Sequence, residues 1–413
     1  MLFLLEKFFL RVYMLIFKLI TRLLPFKWPQ RFAGPGSSEQ LLQHIAKQNH
    51  QHLLIVTDQT LVKLGLVQPL YDQADDLHIQ HTSYAGILPD PSLEQIELGY
   101  ALLNQAGADA ILAIGGGSVI DGAKMIGALA KNKKPLARMT GLFKVRKGIL
   151  PLYVIPTTAG TGSEVTIAAV VSDPIAKRKL AVVDPKLMPS ALALDANIML
   201  GLPPAITAAT GIDALTHAIE AFLSRNATAH TDECALESAR LVFSHLPTAF
   251  HQGDNIESRQ HMAQASMLGG MAFTQAGVGY IHAIAHNLGA LYHVPHGLAN
   301  AMVMPYVLKF SLAGSSNRTK TRLAHLARHC GVVSNTNDQA AAEALVAKIE
   351  ELNEEFGIPK QPKDLRAEDI PYIAKAALSE ARFTYAVPRY LNQAMAEQLL
   401  TEMLGPKHLN EKH

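Results

Sequence analysis

Short apolar runs alternate with helical stretches along the first half of the chain. HLLIVTD (52–58), LHIQHTSY (77–84) and ADAILAIGGGS (108–118) have strand length, and a helical stretch spans about 92–105. PLYVIPTTAGTGSEVT (151–166) is typical of another strand followed by a turn. This alternation predicts a parallel, doubly wound sheet with ligand sites at the carboxyl ends of its strands.

The pattern changes after GLPP (201–204). KLAVVDPKL and ALALDANIML, just before it, are expected to carry the chain out of the sheet, and no convincing strand pattern follows. We therefore expect an N-terminal helix in residues 1–30, an α/β dinucleotide-binding domain with a Rossmann-like parallel sheet in 31–204, and an all-α metal-binding domain in 205–413. Helices of this last domain are predicted near 206–224, 230–249, 255–274, 280–290, 298–312, 319–330, 337–355 and 367–380.

Composition narrows the class of protein. The chain has 413 residues, 49% of them hydrophobic and 17% charged, which is enough for two packed domains. The net charge is +2 and much of the basic excess lies in the first thirty residues, so a nucleic-acid partner is not expected. The two cysteines, Cys234 and Cys330, are far apart, which disfavours a disulfide scaffold and a thiolate metal site and indicates a reducing cytoplasm.

The first 24 residues differ from the rest in composition. On a helical wheel the basic side chains fall within roughly 60° of each other: Lys7, Arg11, Lys18 and Arg22. The longest internal uncharged run, Val12 to Phe17, is far below the roughly 20 residues that span a bilayer. The absence of a small-residue cleavage pattern disfavours a secretory signal. We predict an amphipathic helix that contacts the inner membrane surface; the alternative is a helix packed on another subunit or on the protein itself.

Two glycine-flanked stretches, GIDALTHAIEAF (211–222) and HAIAHNLGALYHVPHG (282–297), carry metal-ligating residue types. An aspartate and a histidine four apart project from one helix face and can reach one ion. The apolar neighbours would bury these polar groups, which then need partners, although each histidine alone is an ordinary helix or loop residue. The candidate ligands are Asp213, His217, His282 and His296. One carboxylate and three imidazoles suit Fe²⁺, Zn²⁺, Co²⁺ or Ni²⁺ better than Mg²⁺ or Ca²⁺.

A strand that runs into three glycines and a serine, AILAIGGGSVIDGAK (110–124), is the candidate phosphate-binding loop. Glycines let the backbone approach a phosphate, and the free N–H groups at a helix start bind anions. Because the GxGxxG fingerprint is missing, the sheet is a variant of the Rossmann architecture.

Other polar residues in this half suit a dinucleotide. Asp58 closes a strand, where a carboxylate can accept hydrogen bonds from the adenosine ribose and repel a 2′-phosphate, favouring NAD over NADP; helix capping is the alternative. Lys179 could pair with cofactor ribose or phosphate, or belong to a solvated face. A hydroxyl-rich turn could hold phosphate or the nicotinamide amide, with turn capping as the alternative: Thr157, Thr158, Thr161 and Ser163.

Over roughly residues 31–413 the chain resembles the iron-dependent (group III) alcohol dehydrogenases, a family that includes lactaldehyde reductases and butanol dehydrogenases. The motifs that carry the resemblance are, in order, GGGSVID, PTTAGTGSEVT, GIDALTHAIEAF and HAIAHNLGALYHVPHGLANAMVMP. The resemblance implies a dehydroquinate synthase-like architecture, NAD and Fe²⁺ (or Zn²⁺) as cofactors, and a homo-oligomer such as a dimer. It makes Asp213, His217, His282 and His296 the metal ligands and His286 a proton relay beside the nicotinamide. The implied cofactor contacts are Gly115, Gly116, Gly117, Ser118, Val119, Asp121, Thr157, Thr158, Thr161 and Lys179.

The chain departs from the family pattern in two places. Asp90 stands in PDP where members commonly carry asparagine, and its carboxylate near the cofactor would alter hydrogen bonding or favour NAD further. The N-terminal helix has no counterpart in the usual pattern, and it suggests hydrophobic substrates such as medium- or long-chain aldehydes.

The reaction expected from these features is reversible hydride transfer between NAD(H) and a primary alcohol/aldehyde pair. The metal would act as Lewis acid on the substrate oxygen, and His286 would pass the proton. One alternative is a glycerol or other polyol dehydrogenase, or a dehydroquinate-synthase type, which usually lacks the last two histidines in this spacing. A membrane-associated NAD-binding protein without catalysis would show damaged metal ligands, whereas all four candidate ligands are present. Their presence also disfavours a metal-free enzyme of the maleylacetate-reductase type.

Overall fold

The computed structural model describes residues 9–12, 14, 27–173, 178–314, 317–334 and 336–405. The chain divides into two compact units. The first, here called the sheet unit, comprises Phe26–Pro203 and Gln252–Gly270, and the second, the helical unit, comprises Pro204–His251, Met271–His413 and the N-terminal residues. Residues 252–270, which the sequence analysis placed in the helical half, thus group with the sheet.

A six-stranded parallel sheet forms the core of the sheet unit, in the order β1-β9-β6-β4-β2-β3. The central strands are buried on both faces, which explains their nearly continuous apolar sequences. A smaller sheet of order β5-β8-β7 pairs β7 antiparallel and β5 parallel to β8. The strands are β1 Gln30–Ala33, β2 Leu53–Val56, β3 His81–Tyr84, β4 Ala110–Gly115, β5 Gly141–Leu142, β6 Leu152–Pro156, β7 Ala168–Asp173, β8 Arg178–Val183 and β9 Ala191–Leu194.

The helices of the sheet unit separate the parallel strands, as the alternation predicted. They are α1 Ser37–Ala46, α2 Gln59–Lys63, α3 Gln68–Asp76, α4 Leu93–Ala106 and α5 Gly117–Asn132. Short 3₁₀ turns lie at Leu136–Arg138, Ser163–Val165, Pro185–Leu187 and Ala196–Met199.

Two expectations about this unit were wrong. ALALDANIML does not leave the sheet, because β9 pairs in parallel with both β1 and β6 and is fully buried. The turn FAGPGSS also predicts an N-cap near Ser37 or Ser38, but neither serine caps α1. The carboxylate of Asp195 accepts hydrogen bonds from the N–H groups of Gly36 (3.0 Å) and Ser38 (3.1 Å) and caps the helix from another part of the chain.

The helical unit contains α6 Pro204–Leu223, α7 Ala229–His251, α8 Ile256–Ala276, α9 Tyr280–Tyr292, α10 His296–Leu312, α11 Asn317–His329, α12 Asp338–Glu355, α13 Ile370–Ala381 and α14 Gln393–Leu404, with a 3₁₀ turn at Ala367–Asp369. The first part of α8 belongs to the sheet unit. From Gly211 to Leu223, every residue of α6 is buried, including the polar residues Asp213, His217 and Glu220. The predicted fold class, a parallel α/β sheet domain plus an all-helical domain, is confirmed.

Of the predicted N-terminal helix, only residues 9–12 and 14 are described, and they are helical. The side chains of Leu10 and Met14, one turn apart, are 5% and 3% exposed, whereas those of Phe9 and Val12 are 61% and 41% exposed. The rest of the predicted amphipathic helix over residues 1–24 lies outside the described residues. Among the helices that the structure describes, none has the length and apolar character needed to cross a membrane.

Candidate metal centre and cofactor loop

Three helices of the helical unit bring the predicted metal ligands together. Asp213 and His217 lie one turn apart on α6, His282 lies in the first turn of α9, and His296 is the first residue of α10. One ligand atom from each of the four residues lies within 4.8 Å of the others. The Oδ1 atom of Asp213 is 3.4 Å from Nε2 of His296 and 3.9 Å from Nε2 of His282. Donors from two stretches that are far apart in sequence therefore converge on one small volume.

The chemistry of this donor set fits a divalent transition metal. Asp213, His217 and His282 are buried, and the His217 ring stacks on that of His282 with centroids 4.6 Å apart. Burial, and then the nearby His217, His296 and His286, hold the pKa of His282 well below its usual value. Neutral imidazoles with available lone pairs, together with one carboxylate, are ligands that suit iron or zinc.

A buried carboxylate behind His282 was missed by the sequence reasoning. Glu220, on α6, accepts hydrogen bonds from the N–H groups of Gly279 (2.8 Å) and Ile281 (2.7 Å), and its Oε2 lies 2.6 Å from Nδ1 of His282. Burial raises the pKa of Glu220 to about 8, and the backbone donors oppose that rise. Because Nδ1 is held by Glu220, the Nε2 atom of His282 is left to face Asp213.

Asn300 is a second residue that the motif analysis did not single out. It is fully buried on α10, one turn after His296, and its Nδ2 donates to Oδ1 of Asp213 at 2.7 Å. The same nitrogen is 3.3 Å from Nε2 of His282 and 3.2 Å from Nε2 of His296, while Oδ1 of Asn300 is buried without a hydrogen-bond partner. Its spacing of four from His296 is the signal that could have identified it.

The glycine after His296 allows α10 to approach α6. A Cβ at Gly297 would lie 2.3 Å from the carbonyl oxygen of Ala209 and 3.3 Å from Cβ of Asp213. A side chain at this position would therefore push the two ligand-bearing helices apart.

His286 lies beside the ligand cluster rather than within it. Its ring stacks on that of His296, with centroids 5.2 Å apart and planes 21° apart, and its Nδ1 is 2.7 Å from Oε1 of Glu380. The side chain is 27% exposed. His286 therefore lies next to the candidate ligand His296 but is hydrogen-bonded to Glu380, outside the group of four candidate ligands.

In the sheet unit, β4 ends at Gly115 and α5 begins at Gly117, with Gly116, which has no side chain, at the helix N-cap. A Cβ at Gly117 would lie 2.6 Å from Cγ2 of Thr161, and one at Gly116 would lie 3.2 Å from Oγ1 of Thr158. The glycine loop and the threonine-rich turn are therefore in close contact. Such a helix N-terminus suits an anionic phosphate.

Buried charges lie beneath this turn. Asp121 accepts a 2.5 Å hydrogen bond from Oγ of Ser163 and a 2.8 Å bond from the N–H of Val170. Lys124 is fully buried and donates to the carbonyl oxygens of Ser163 (2.7 Å), Thr166 (2.9 Å) and Ala168 (2.8 Å). Burial raises the pKa of Asp121 and lowers that of Lys124 to about 8. Both side chains bind the turn itself, so they hold Ser163 in place.

The remaining predicted cofactor residues lie elsewhere on the sheet unit. Asp58 caps α2, and its Oδ1 accepts hydrogen bonds from the N–H groups of Thr60 (2.8 Å) and Leu61 (3.0 Å), as in the capping alternative. Lys179 pairs with Asp90, with Nζ 2.8 Å from Oδ1. Asp90, at a φ of 56°, donates its backbone N–H to Oγ of Ser118 at 3.2 Å, which links this ion pair to the glycine loop.

The helical unit carries convergent metal-binding side chains, and the sheet unit carries a glycine loop that leads from a parallel strand into a helix. This combination is typical of metal-dependent enzymes that use a dinucleotide. The sequence pattern of iron-containing alcohol dehydrogenases matches residues 29–196, and that of the Fe-containing alcohol dehydrogenase family, C-terminal, matches residues 207–404. The chain belongs to the iron-containing alcohol dehydrogenase family, as the motifs predicted.

Individual relatives are similar over most of their length. The chain is 37% identical to the lactaldehyde reductase of Escherichia coli K12 over 352 residues, covering 84% of this chain and 91% of the relative. It is 35% identical to the NAD-dependent methanol dehydrogenase of Bacillus methanolicus over 379 residues, covering 91% and 98%. Among solved structures, a 1,3-propanediol oxidoreductase shares 33% identity with a TM-score of 0.87, covering 92% of this chain and 100% of that one.

Proposed function

We propose that the protein catalyses reversible hydride transfer between NAD(H) and a primary alcohol/aldehyde pair, with a divalent metal ion, iron in the first place and zinc as the alternative, bound by Asp213, His217, His282 and His296. The observation that carries the proposal is the convergence of these four side chains to within 4.8 Å. The relatives named lactaldehyde reductase and NAD-dependent methanol dehydrogenase support the alcohol/aldehyde chemistry and the use of NAD.

The bound metal would supply Lewis-acid polarisation of the substrate oxygen. The protein prepares the site by fixing its donors: Glu220 holds Nδ1 of His282, and Asn300 holds Oδ1 of Asp213. His286 is the proposed proton carrier. Because its Nδ1 is engaged by Glu380, Nε2 is the atom at which it would accept or release a proton.

The sheet unit would hold the dinucleotide. In the proposed arrangement, the helix start at Gly117 binds the pyrophosphate, and Asp58 accepts hydrogen bonds from the adenosine ribose with the carboxylate oxygen that does not cap α2. The hydroxyls of Thr157, Thr158 and Thr161 would contact the cofactor, and Asp121 would act by holding the turn through Ser163.

The proposal is tested by preparing the protein without metal, reloading it with Fe²⁺ or Zn²⁺, and following NADH absorbance with aldehydes of increasing chain length. We expect NADH oxidation that depends on the added metal. Activity of equal size in protein shown by elemental analysis to be metal-free would refute the metal's role. A series with polyols such as glycerol distinguishes the polyol dehydrogenase alternative.

The preference for NAD over NADP can be tested at Asp90. Asp90→Asn removes the carboxylate that pairs with Lys179, so the lysine becomes available to a 2′-phosphate. We expect the ratio of kcat/KM for NADP to that for NAD to rise about fivefold, corresponding to about 1 kcal/mol for charges separated by roughly 4 Å in water. The double variant Asp90→Asn/Lys179→Met is the control and should lose the gain. An unchanged ratio in Asp90→Asn would show that the ion pair does not set the preference.

The N-terminal segment is proposed to contact an anionic membrane surface through the face that carries Phe9 and Val12, both exposed, while Leu10 and Met14 are buried. Replacing Phe9 and Val12 by serine should lower sedimentation with anionic liposomes at least about tenfold, because burial of such side chains contributes roughly 1.5–3 kcal/mol each. Leu88→Ser, at an exposed leucine of the sheet unit, is the matched control. Undiminished pelleting of the double variant would refute this contact face, whereas a helix that packs only on protein predicts no liposome-dependent pelleting of the wild type.

A further inference from the structure

Three side chains of the helical unit form a hydrogen-bonded series that ends at His286. Nδ1 of His286, on α9, lies 2.7 Å from Oε1 of Glu380, near the end of α13. The hydroxyl of Tyr385, which follows α13, donates to the same oxygen at 2.6 Å. The His286 and Glu380 side chains are 27% and 31% exposed, whereas Tyr385 is 9% exposed.

We propose that Glu380 and Tyr385 are positioning residues that fix the tautomer and the orientation of His286, an inference that rests on the proposed function of that histidine. A carboxylate at Nδ1 stabilises the tautomer in which Nδ1 carries the hydrogen and Nε2 carries the lone pair. It also sets the rotation of the ring, which lies nearly parallel to the His296 ring. Without the carboxylate, either nitrogen could carry the hydrogen and the ring could turn.

Tyr385 supports Glu380 in this role. Its hydroxyl can donate only while it is protonated, and burial, followed by the charge of Glu380, holds the pKa of Tyr385 well above its usual value. The tyrosine therefore remains a donor around neutral pH, and its hydrogen bond restrains the glutamate oxygen that faces His286.

A purely structural role, in which the pair only ties α9 to α13, makes different predictions. A structural tie would act on stability and on all site properties together. A positioning role acts on turnover through His286, leaving substrate binding and metal content in place. The chain offers a matched control: His251 and Glu355 form another histidine–glutamate pair, at 2.8 Å and more exposed, between α7 and α12.

The experiment compares Glu380→Ala, Glu380→Gln, Tyr385→Phe and the control Glu355→Ala in metal-loaded protein. Glu380→Ala should lower kcat about tenfold to a hundredfold, as loss of a carboxylate behind a functional histidine does, with KM and metal content within about twofold of wild type. Glu380→Gln retains an acceptor oxygen and should recover part of the loss. Tyr385→Phe should have a smaller effect in the same direction, and Glu355→Ala none.

The effect must pass through His286. In a His286→Ala background, Glu380→Ala should therefore cause no further loss of kcat, and an undiminished second loss would overturn the inference. The ¹⁵N shifts of labelled histidine in Zn²⁺-loaded protein, assigned to His286 by difference, should change from one tautomer to a mixture in Glu380→Ala; an unchanged pattern would also overturn it. The spectrum tests the positioning role independently of catalysis. If the protein oxidised no alcohol, the proposed function would be refuted, but the spectrum would still show whether Glu380 fixes the tautomer of His286.

Discussion

His282→Ala is expected to abolish retention of the metal and to lower kcat/KM about a thousandfold. The substitution removes one of the three imidazoles, and Oε2 of the buried Glu220 keeps only the N–H of Gly279 as a partner. Lewis-acid activation is worth several kcal/mol, and each 1.36 kcal/mol is a factor of ten in rate. Elemental analysis after gel filtration and steady-state kinetics measure the two effects separately.

His286→Ala should give the contrasting result. Its side chain stacks on His296 but is held by Glu380, so we expect metal content near that of wild type and a fall in kcat of about 10²-fold, at the low end for general acid–base groups. His230→Ala, at an exposed position on α7, is the control for mutating a histidine of this unit. Equal metal loss in His282→Ala and His286→Ala would refute the division between ligand and proton carrier.

The part of the site that could be predicted from sequence is the part that local geometry encodes. Asp213 and His217 have helical spacing, and the strand, glycines and helix around Gly115 are contiguous. Glu220 and Glu380 could not be assigned in the same way. Glu220 lies 62 residues from His282, and Glu380 lies 94 residues from His286. A glutamate ordinarily faces water, so sequence alone does not suggest that either one holds a histidine.

The fold shows the same limit. The alternation of apolar runs and helices predicts the parallel sheet, but β9 was misplaced because its position between β1 and β6 depends on pairing with strands far away in the chain. The cap of α1 was misassigned for a related reason, since its acceptor, Asp195, lies 157 residues from Ser38. Local propensity identified the elements, whereas these contacts depend on tertiary structure.

Lys124→Met is expected to lower the free energy of unfolding by about 3 kcal/mol or more, because several buried acceptors lose a charged donor, at about 1–3 kcal/mol for each group left unsatisfied. The lysine is fully buried on α5 and donates to the carbonyl oxygens of Ser163, Thr166 and Ala168. Methionine retains most of the side-chain volume but leaves these acceptors without the ammonium group and Asp121 without its nearby positive charge.

Urea unfolding of Lys124→Met and of Lys131→Met, on an exposed position of the same helix, measures the effect; the control should change stability by less than about 0.5 kcal/mol. Because the threonine turn is held through Ser163, the KM for NAD should also rise in Lys124→Met, even where the protein is fully folded. A variant as stable as the control would mean that methionine packing compensates for the lost hydrogen bonds. An unchanged KM together with lower stability would show that the buried charges support the fold without shaping the cofactor site.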